Sequence, residues 1–223
     1  MKCLVVIPAH NEEANIEKTL KDVKQYLSIS DYIVINDGSK DNTESILKQG
    51  NYNYVSLPIN LGLNGAVQTG YKYAFNNNYD CAIQFDGDGQ HQAKYIGKMI
   101  QEIKNGSDIV IGSRFVDKKK DWSLRMIGSR IISLLIKLKT GKTIKDPTSG
   151  MRMLNRKMLE EYAFKLNMRP EPDTLAYEIK KGAIVKEIQV DMNEREGGIS
   201  LYSGLWPSIK YMVKMIISII FIV

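Results

Sequence analysis

Runs of apolar residues, each closed by a polar cluster, divide the first half of the chain into strands and helices. Lys2 to Pro8 carries a continuous apolar run, the pattern of a strand buried on both faces of a sheet. A helix follows, with Ile16, Leu20, Val23 and Leu27 four, three and four residues apart on one face. Asp31 to Ile35 reads as a second strand, ending at Asn36-Asp37-Gly38-Ser39, and Tyr54 to Leu57 as a short third. Asn64 to Phe75 predicts a helix. Asp80 to Phe85 is a further strand running directly into Asp86-Gly-Asp-Gly-Gln-His91, and Ser107 to Gly112 another, ending at Gly112-Ser-Arg-Phe115. The alternation predicts an α/β fold, a mostly parallel sheet flanked by helices. Ligands of such sheets bind beyond the carboxyl ends of the strands, so these polar clusters are expected to converge on one site.

The second half changes character. Trp122 to Lys139 mixes Met126, Ile127, Ile131, Ile132, Leu134, Leu135 and Ile136 with Arg125, Arg130, Lys137 and Lys139. Leu205 to Val223 is almost wholly apolar apart from Lys210 and Lys214. As a helix, this last stretch would be about 28 Å long, marginal for a bilayer core of about 30 Å. Its two lysines lie one turn apart, so a helix lying in the membrane interface is expected over one that crosses; a core helix is the plain alternative.

Length and composition narrow the field only a little. The 223 residues suit one full domain, and 43% hydrophobic with 25% charged residues excludes a disordered chain. A net charge of +6 suits an anionic partner. Nucleic acid is disfavoured, because the basic residues accompany apolar helices and not stacking aromatics. Cys3 and Cys81 sit in strand-like apolar runs and are expected to be core thiols in a reducing compartment. The opening apolar run stops at His10-Asn-Glu-Glu13, too soon for a secretory signal.

Asp86-Gly87-Asp88 carries the most chemistry. Two carboxylates at a strand end suit Mg²⁺ or Mn²⁺, with positions left for phosphate oxygens. A turn that merely contains two aspartates has the same sequence. An EF-hand is excluded because its twelfth position, counted from Asp86, is Gly97 and not Glu. A haloacid-dehalogenase-like phosphatase would carry Thr or Val where Gln90 stands. Asp37 is either a turn residue before a helix capped at Asp41 or Asn42, or an acceptor for a nucleobase or ribose. The two readings are compatible.

Pro8 to Glu13, Asn36 to Thr43 and Asp86 to His91 together resemble the signature of family 2 glycosyltransferases with the GT-A fold. Gly112 to Phe115, Asp146-Pro-Thr-Ser-Gly-Met-Arg152, Glu187 to Val190 and Arg195 to Ser200 more narrowly resemble dolichyl- and polyprenyl-phosphate sugar synthases. The resemblance spans roughly residues 2–203, taken as the catalytic domain 1–203, followed by an apolar membrane-associated helix over 204–223. It implies that Pro8, His10, Glu12, Ile35, Asp37, Asp86, Gly87 and Arg195 bind the nucleotide-sugar. It places Asp86, Asp88 and Gln90 around the metal and makes Asp88, Arg114 and Arg125 the catalytic set, with Arg114, Arg125 and Arg195 facing phosphates. His10 and Asn36 stand where Tyr and Asp are common, Asp173 where Glu is, and Leu201 where Lys often follows the Ser. These departures bear on the identity of nucleotide and sugar.

The acceptor follows from a separate argument. A sugar hydroxyl needs a carboxylate base, whereas a phosphate monoester, with a second pKa of about 6, is already largely dianionic and needs cations. The chain has no adjacent Glu-Asp pair late in the domain; Glu171-Pro172-Asp173 comes nearest. Arg114 and Arg125, beside an apolar helix, favour a lipid phosphate. The expectation is inverting transfer of glucose, N-acetylglucosamine or mannose from a nucleotide-sugar to polyprenyl phosphate. The site of action would be the cytoplasmic face of the cell membrane, with membrane lipid as a contact and a small membrane protein or a second copy of the chain as further partners. The alternative is transfer to a hydroxyl of a glycan or lipid-linked saccharide, with Glu171 or Asp173 as base. A non-catalytic scaffold is a third reading, opposed by the intact Asp86, Asp88 and Gln90.

Overall fold

The computed structural model describes the backbone of residues 1–165, 168–193 and 205–222. Seven strands form one sheet: β1 (Cys3–Ala9), β2 (Asp31–Asn36), β3 (Tyr54–Ser56), β4 (Cys81–Gln84), β5 (Ile109–Ser113), β6 (Arg152–Asn155) and β7 (Val185–Gln189). Their order is β3-β2-β1-β4-β6-β5-β7. All run parallel except β6, which is antiparallel to both of its neighbours. The chain moves outward from β1 through β2 to β3, then returns to lay β4 against the other edge of β1. This reversal opens a crevice at the carboxyl ends of β1 and β4.

Eight helices cover the two faces of the sheet. On one side lie α1 (Ile16–Lys24), α2 (Thr43–Gln49) and α4 (Ile96–Lys104). Their Ile16, Leu20, Val23, Leu47, Ile96 and Met99 pack on Val5, Ile7 and Ile83. On the other lie α3 (Gly62–Asn76), α5 (Leu124–Thr140), α6 (Arg156–Phe164), α7 (Pro172–Lys180) and α8 (Leu205–Ile222). These bury Val67, Tyr71, Ile132, Leu159, Leu175 and Ile219 against Leu4, Val6 and Ile35. Strand residues alternate between the two cores, as the two-residue period of a strand requires.

The structure changes one expectation and adds two features. Helix α1 ends at Lys24 in a tight turn, Tyr26 N–H donating to Val23 O, so Leu27 is exposed and does not extend the buried face. Strand β6 was not anticipated, being four residues that pass directly into α6. Helix α8 packs on α5 and α7, with Met215 and Ile219 fully buried. The approach to α5 is close: a β-carbon at Gly128 would stand 1.6 Å from Met212 Sδ. Ser218 also donates a 2.6 Å hydrogen bond to Asp173 Oδ2 of α7. No helix among the described residues is long and apolar enough to cross a membrane. Cys3 and Cys81 are buried, unbridged and paired across β1 and β4, as core thiols should be.

Candidate active site

The carboxyl ends of β1 and β2 are joined by their loops. Asp37 N–H donates to Ala9 O, and His10 Nδ1 lies 2.8 Å from Asp37 O. Asn11 and Glu13 bond reciprocally with the next loop: Asn11 N–H to Ser39, Lys40 N–H to Asn11, Glu13 N–H to Asp41 and Asn42 N–H to Glu13. Asp41 accepts from the Thr43 N–H and hydroxyl at the start of α2, while Asn42 holds the cap position without a side-chain bond. Glu12 lies just ahead of α1, whose cap position is Asn15; its carbonyl accepts from Asn15 and Ile16 N–H, and its carboxylate accepts from the Asn15 amide. Asp37 is buried and accepts a 2.7 Å bond from Leu61 N–H, which fixes the entry to α3. Beyond that turn, Leu61, Asn64, Gly65, Gln68, Met168 and Arg169 line an open cleft of about 400 Å³.

The loop after β4 is held by its own residues and by two from outside, Thr19 and Asn193, with Thr19 donating to Gly87 O. Asp86 Oδ1 accepts from Gln84 Nε2 at 2.9 Å, and Asp86 N–H donates to His91 Nδ1 at 2.9 Å. A nitrogen that accepts carries no proton, so the His91 proton sits on Nε2, 3.8 Å from Asp86 Oδ2. Asp88 accepts from Gln90 N–H across Gly89, which is left-handed with φ +77°. Asn193 then clamps the loop, donating to Gly89 O and Gln90 O. Among the described residues no three His, Cys, Asp or Glu side chains group as a metal cage. Two carboxylates and an amide still suit a hard divalent cation that takes its other ligands from phosphates. The room for it rests on Gly150, where a β-carbon would stand 2.9 Å from Asp86 Oδ2.

The cationic side is assembled from distant segments. Arg114 forks onto buried Asp146, Nε at 2.8 Å and Nη2 at 2.9 Å, and its own N–H donates to the same carboxylate. Burial opposes the guanidinium charge, but the hydrogen bonds to Asp146 outweigh it and raise its pKa. Glu187 accepts from Lys145 and Asp146 N–H, while Gln189 accepts from Asp117 N–H and donates to Arg114 O. Lys120 Nζ donates to Ser129 at 2.7 Å and Ser133 at 3.4 Å. Arg130 donates to the carbonyls of Lys120 and Asp121 and lies 4.5 Å from the Trp122 ring centroid.

The profile described as Glycosyl transferase family 2 matches residues 4–163. This chain belongs to glycosyltransferase family 2. It is 31% identical to a UDP-N-acetylglucosamine–dolichyl-phosphate N-acetylglucosaminyltransferase of Methanococcus voltae, over 70% of each chain. It is 25% identical to a polyprenol monophosphomannose synthase of Mycolicibacterium smegmatis, over 91% of this chain and 82% of that one. Among solved structures it shares its fold with glucosyl-3-phosphoglycerate synthase from Mycobacterium tuberculosis in complex with Mn²⁺, UDP and glucosyl-3-phosphoglycerate. The TM-score is 0.68 at 17% identity, over 98% of this chain and 78% of that one.

In this family 2 glycosyltransferase, the fold brings Pro8, His10, Glu12, Asp37, Asp86, Gly87, Asp88 and Gln90 to the carboxyl ends of β1, β2 and β4. Ile35 lies wholly in the core, so only its backbone faces that edge. Arg114 stands at the end of β5 but is occupied by Asp146. The Arg125 side chain and all of Arg195 lie outside the described residues; Asn193, two positions before Arg195, is tied to the Asp86–Gln90 loop.

Sequence reasoning gave no role to Gln84 or Lys120, nor to Asp146 and Arg152, which it met only as the ends of one motif. Arg152 is fully buried in the family 2 transferase and donates to the carbonyls of Pro147, Ser149 and Glu171, joining two loops of the site. Its signal was available: an arginine inside the apolar run of a strand must find carbonyls or a carboxylate.

Proposed function

We propose that this enzyme transfers a hexose (glucose, N-acetylglucosamine or mannose) from a nucleoside diphosphate sugar to polyprenyl phosphate, with inversion. The supporting observation is the contrast between occupied carboxylates and clustered cations on the acceptor side. Asp173 accepts from Thr174 N–H on one oxygen and from Ser218 on the other, so both are engaged, while Glu171 accepts a single 3.2 Å bond from Asn64. Lys120 and Arg130 stand instead beside α5, with Arg114 near them on its partner Asp146. Cations in place of a base suit an acceptor that is already ionised. The phosphorylated-lipid acceptors named for the relatives from Methanococcus and Mycolicibacterium agree with this reading.

On the donor side, the β1–β2 loops around His10, Glu12 and Asp37 receive the nucleotide. Asp86 and Asp88, with Gln90, would hold Mg²⁺ or Mn²⁺, which when bound neutralises the charge of the departing diphosphate. Gln84 holds the Asp86 carboxylate and His91 its backbone N–H, and Asp88 is fixed by the turn to Gln90. The acceptor phosphate oxygen attacks the anomeric carbon as the diphosphate leaves, in one displacement. An α-linked donor therefore gives a β-linked glycosyl phosphate.

The lipid tail sets the location. Ile127, Ile131, Leu134 and Leu138 of α5 and Ile209, Val213, Ile217 and Phe221 of α8 are exposed on two helices packed together. Exposed Lys137, Lys139, Lys210 and Lys214 accompany them. Each lysine near an anionic bilayer contributes about 1 kcal/mol, so this face is the one we assign to the membrane surface, on the cytoplasmic side.

A donor screen with membranes tests the whole reading. Labelled lipid extractable into organic solvent is expected from one nucleotide-sugar, and label only in water-soluble or glycan products overturns it.

A further inference from the structure

Arg114 was the natural phosphate ligand in the sequence, yet its charge is already matched. Its guanidinium forks onto Asp146 with two bonds under 3 Å, and Asp146 is completely buried. Such a pair is close to neutral seen from outside, with its best donors spent. Lys120 differs. It is half-buried, its partners are the two hydroxyls of Ser129 and Ser133, and no carboxylate lies within ion-pair distance among the described residues. An ammonium has three donors, so one remains for a ligand.

The lysine is also built in. Arg130 grips the carbonyls of Lys120 and Asp121, fixing the loop onto α5, and Ser129 is buried. Phe115 lies within reach of both cations, with Arg114 5.1 Å and Lys120 5.4 Å from its ring centroid. Burial lowers the Lys120 pKa from its ordinary value, and Arg114 and Arg130 push the same way against Asp146 and Glu187. The group therefore gains from an incoming anion what it lacks in the free protein.

We infer that Lys120, steadied by Ser129 and Ser133, is the cation that binds the terminal phosphate of the acceptor and so selects a phosphate over a hydroxyl. This rests on the phosphate-acceptor reading above. Exposed Lys118, by contrast, is paired with Asp191 at 2.6 Å and faces away from this duty.

The test uses the full chain with farnesyl phosphate as acceptor and compares Lys120→Met, Lys120→Arg and Ser133→Ala. Lys120→Met is expected to raise the KM for farnesyl phosphate about tenfold or more, with the donor KM within about twofold. Lys120→Arg should recover most of the loss, which a purely structural lysine would not require. Ser133→Ala, which keeps the ammonium but frees it, should raise the same KM about threefold, and serves if Lys120→Met does not fold. An unchanged KM in every variant, or an equal rise for donor and acceptor, overturns the assignment while leaving the proposed reaction intact. A wild-type enzyme that glycosylates a hydroxyl and never farnesyl phosphate overturns the proposed reaction, and this assignment with it.

Discussion

The carboxylates of Asp86 and Asp88 are held by residues two positions away, Gln84 and Gln90, while Thr19 and Asn193 hold the backbone of their loop from outside. The loop that carries Arg114 is fixed by partners 32 and 75 residues away, Asp146 and Gln189. A locally determined carboxylate site can lose its chemistry without losing its shape. A cationic site assembled across the fold cannot, because each charge there also holds two segments together.

The largest effect separates the two regions most clearly. Asp88→Asn is expected to reduce transfer by about a thousandfold while the thermal midpoint stays in place, since the carboxylate acts on developing charge. Excess EDTA should do the same to the wild type. Equal turnover in EDTA and in Mg²⁺ or Mn²⁺ would remove the metal from the scheme.

On the other side of the comparison, Asp146→Asn should lower stability as well as activity. It leaves the half-buried Arg114 without its partner, at a cost of about 2 kcal/mol, or a fall of about 4–8 °C in midpoint for a chain of this size. A variant with reduced activity but wild-type melting would show that the Arg114 loop is held by something other than its ion pair.

Gly150→Ala sharpens the boundary, because it belongs to the distant loop yet touches the local site. Its methyl would press on Asp86 Oδ2, so about a tenfold loss in kcat is expected, with an apparent metal affinity weakened in parallel. A neutral substitution would mean that the Asp86 carboxylate has room the structure does not give it.

The smallest change concerns α8. Ser218→Ala removes its bond to Asp173 and should cost about 1 kcal/mol in urea unfolding, without altering either KM. A large KM change for the acceptor instead would tie α8 directly to the reaction.

This difference in sequence distance also explains what could be read before the fold was seen. The strands β1, β2, β4 and β5 and the polar clusters at their ends were legible because apolar runs and turn residues are contiguous. The pairing of Arg114 with Asp146 was not, since Arg114 was read as a phosphate ligand and nothing local says that a carboxylate 32 residues away will meet it. Strand β6 escaped because four residues show no period before α6 begins. Helix α8 was read as almost wholly apolar apart from Lys210 and Lys214, and two lysines are too few to show that Met215 and Ile219 turn inward while Val213 and Ile217 turn out.

Strand β7 gives the second half of the site a ruler. Glu187 grips the backbone at Lys145 and Asp146, and Gln189 grips it at Arg114 and Asp117; the two side chains are one pleat apart on the same face. The register with β5, Ile111 beside Glu187 and Ser113 beside Gln189, keeps both grips aligned. A slip of one residue would turn both to the opposite face together. An insertion or deletion inside these five residues would therefore act as a single lesion on two loops, while the same change a few residues earlier, in the turn before Val185, could be absorbed.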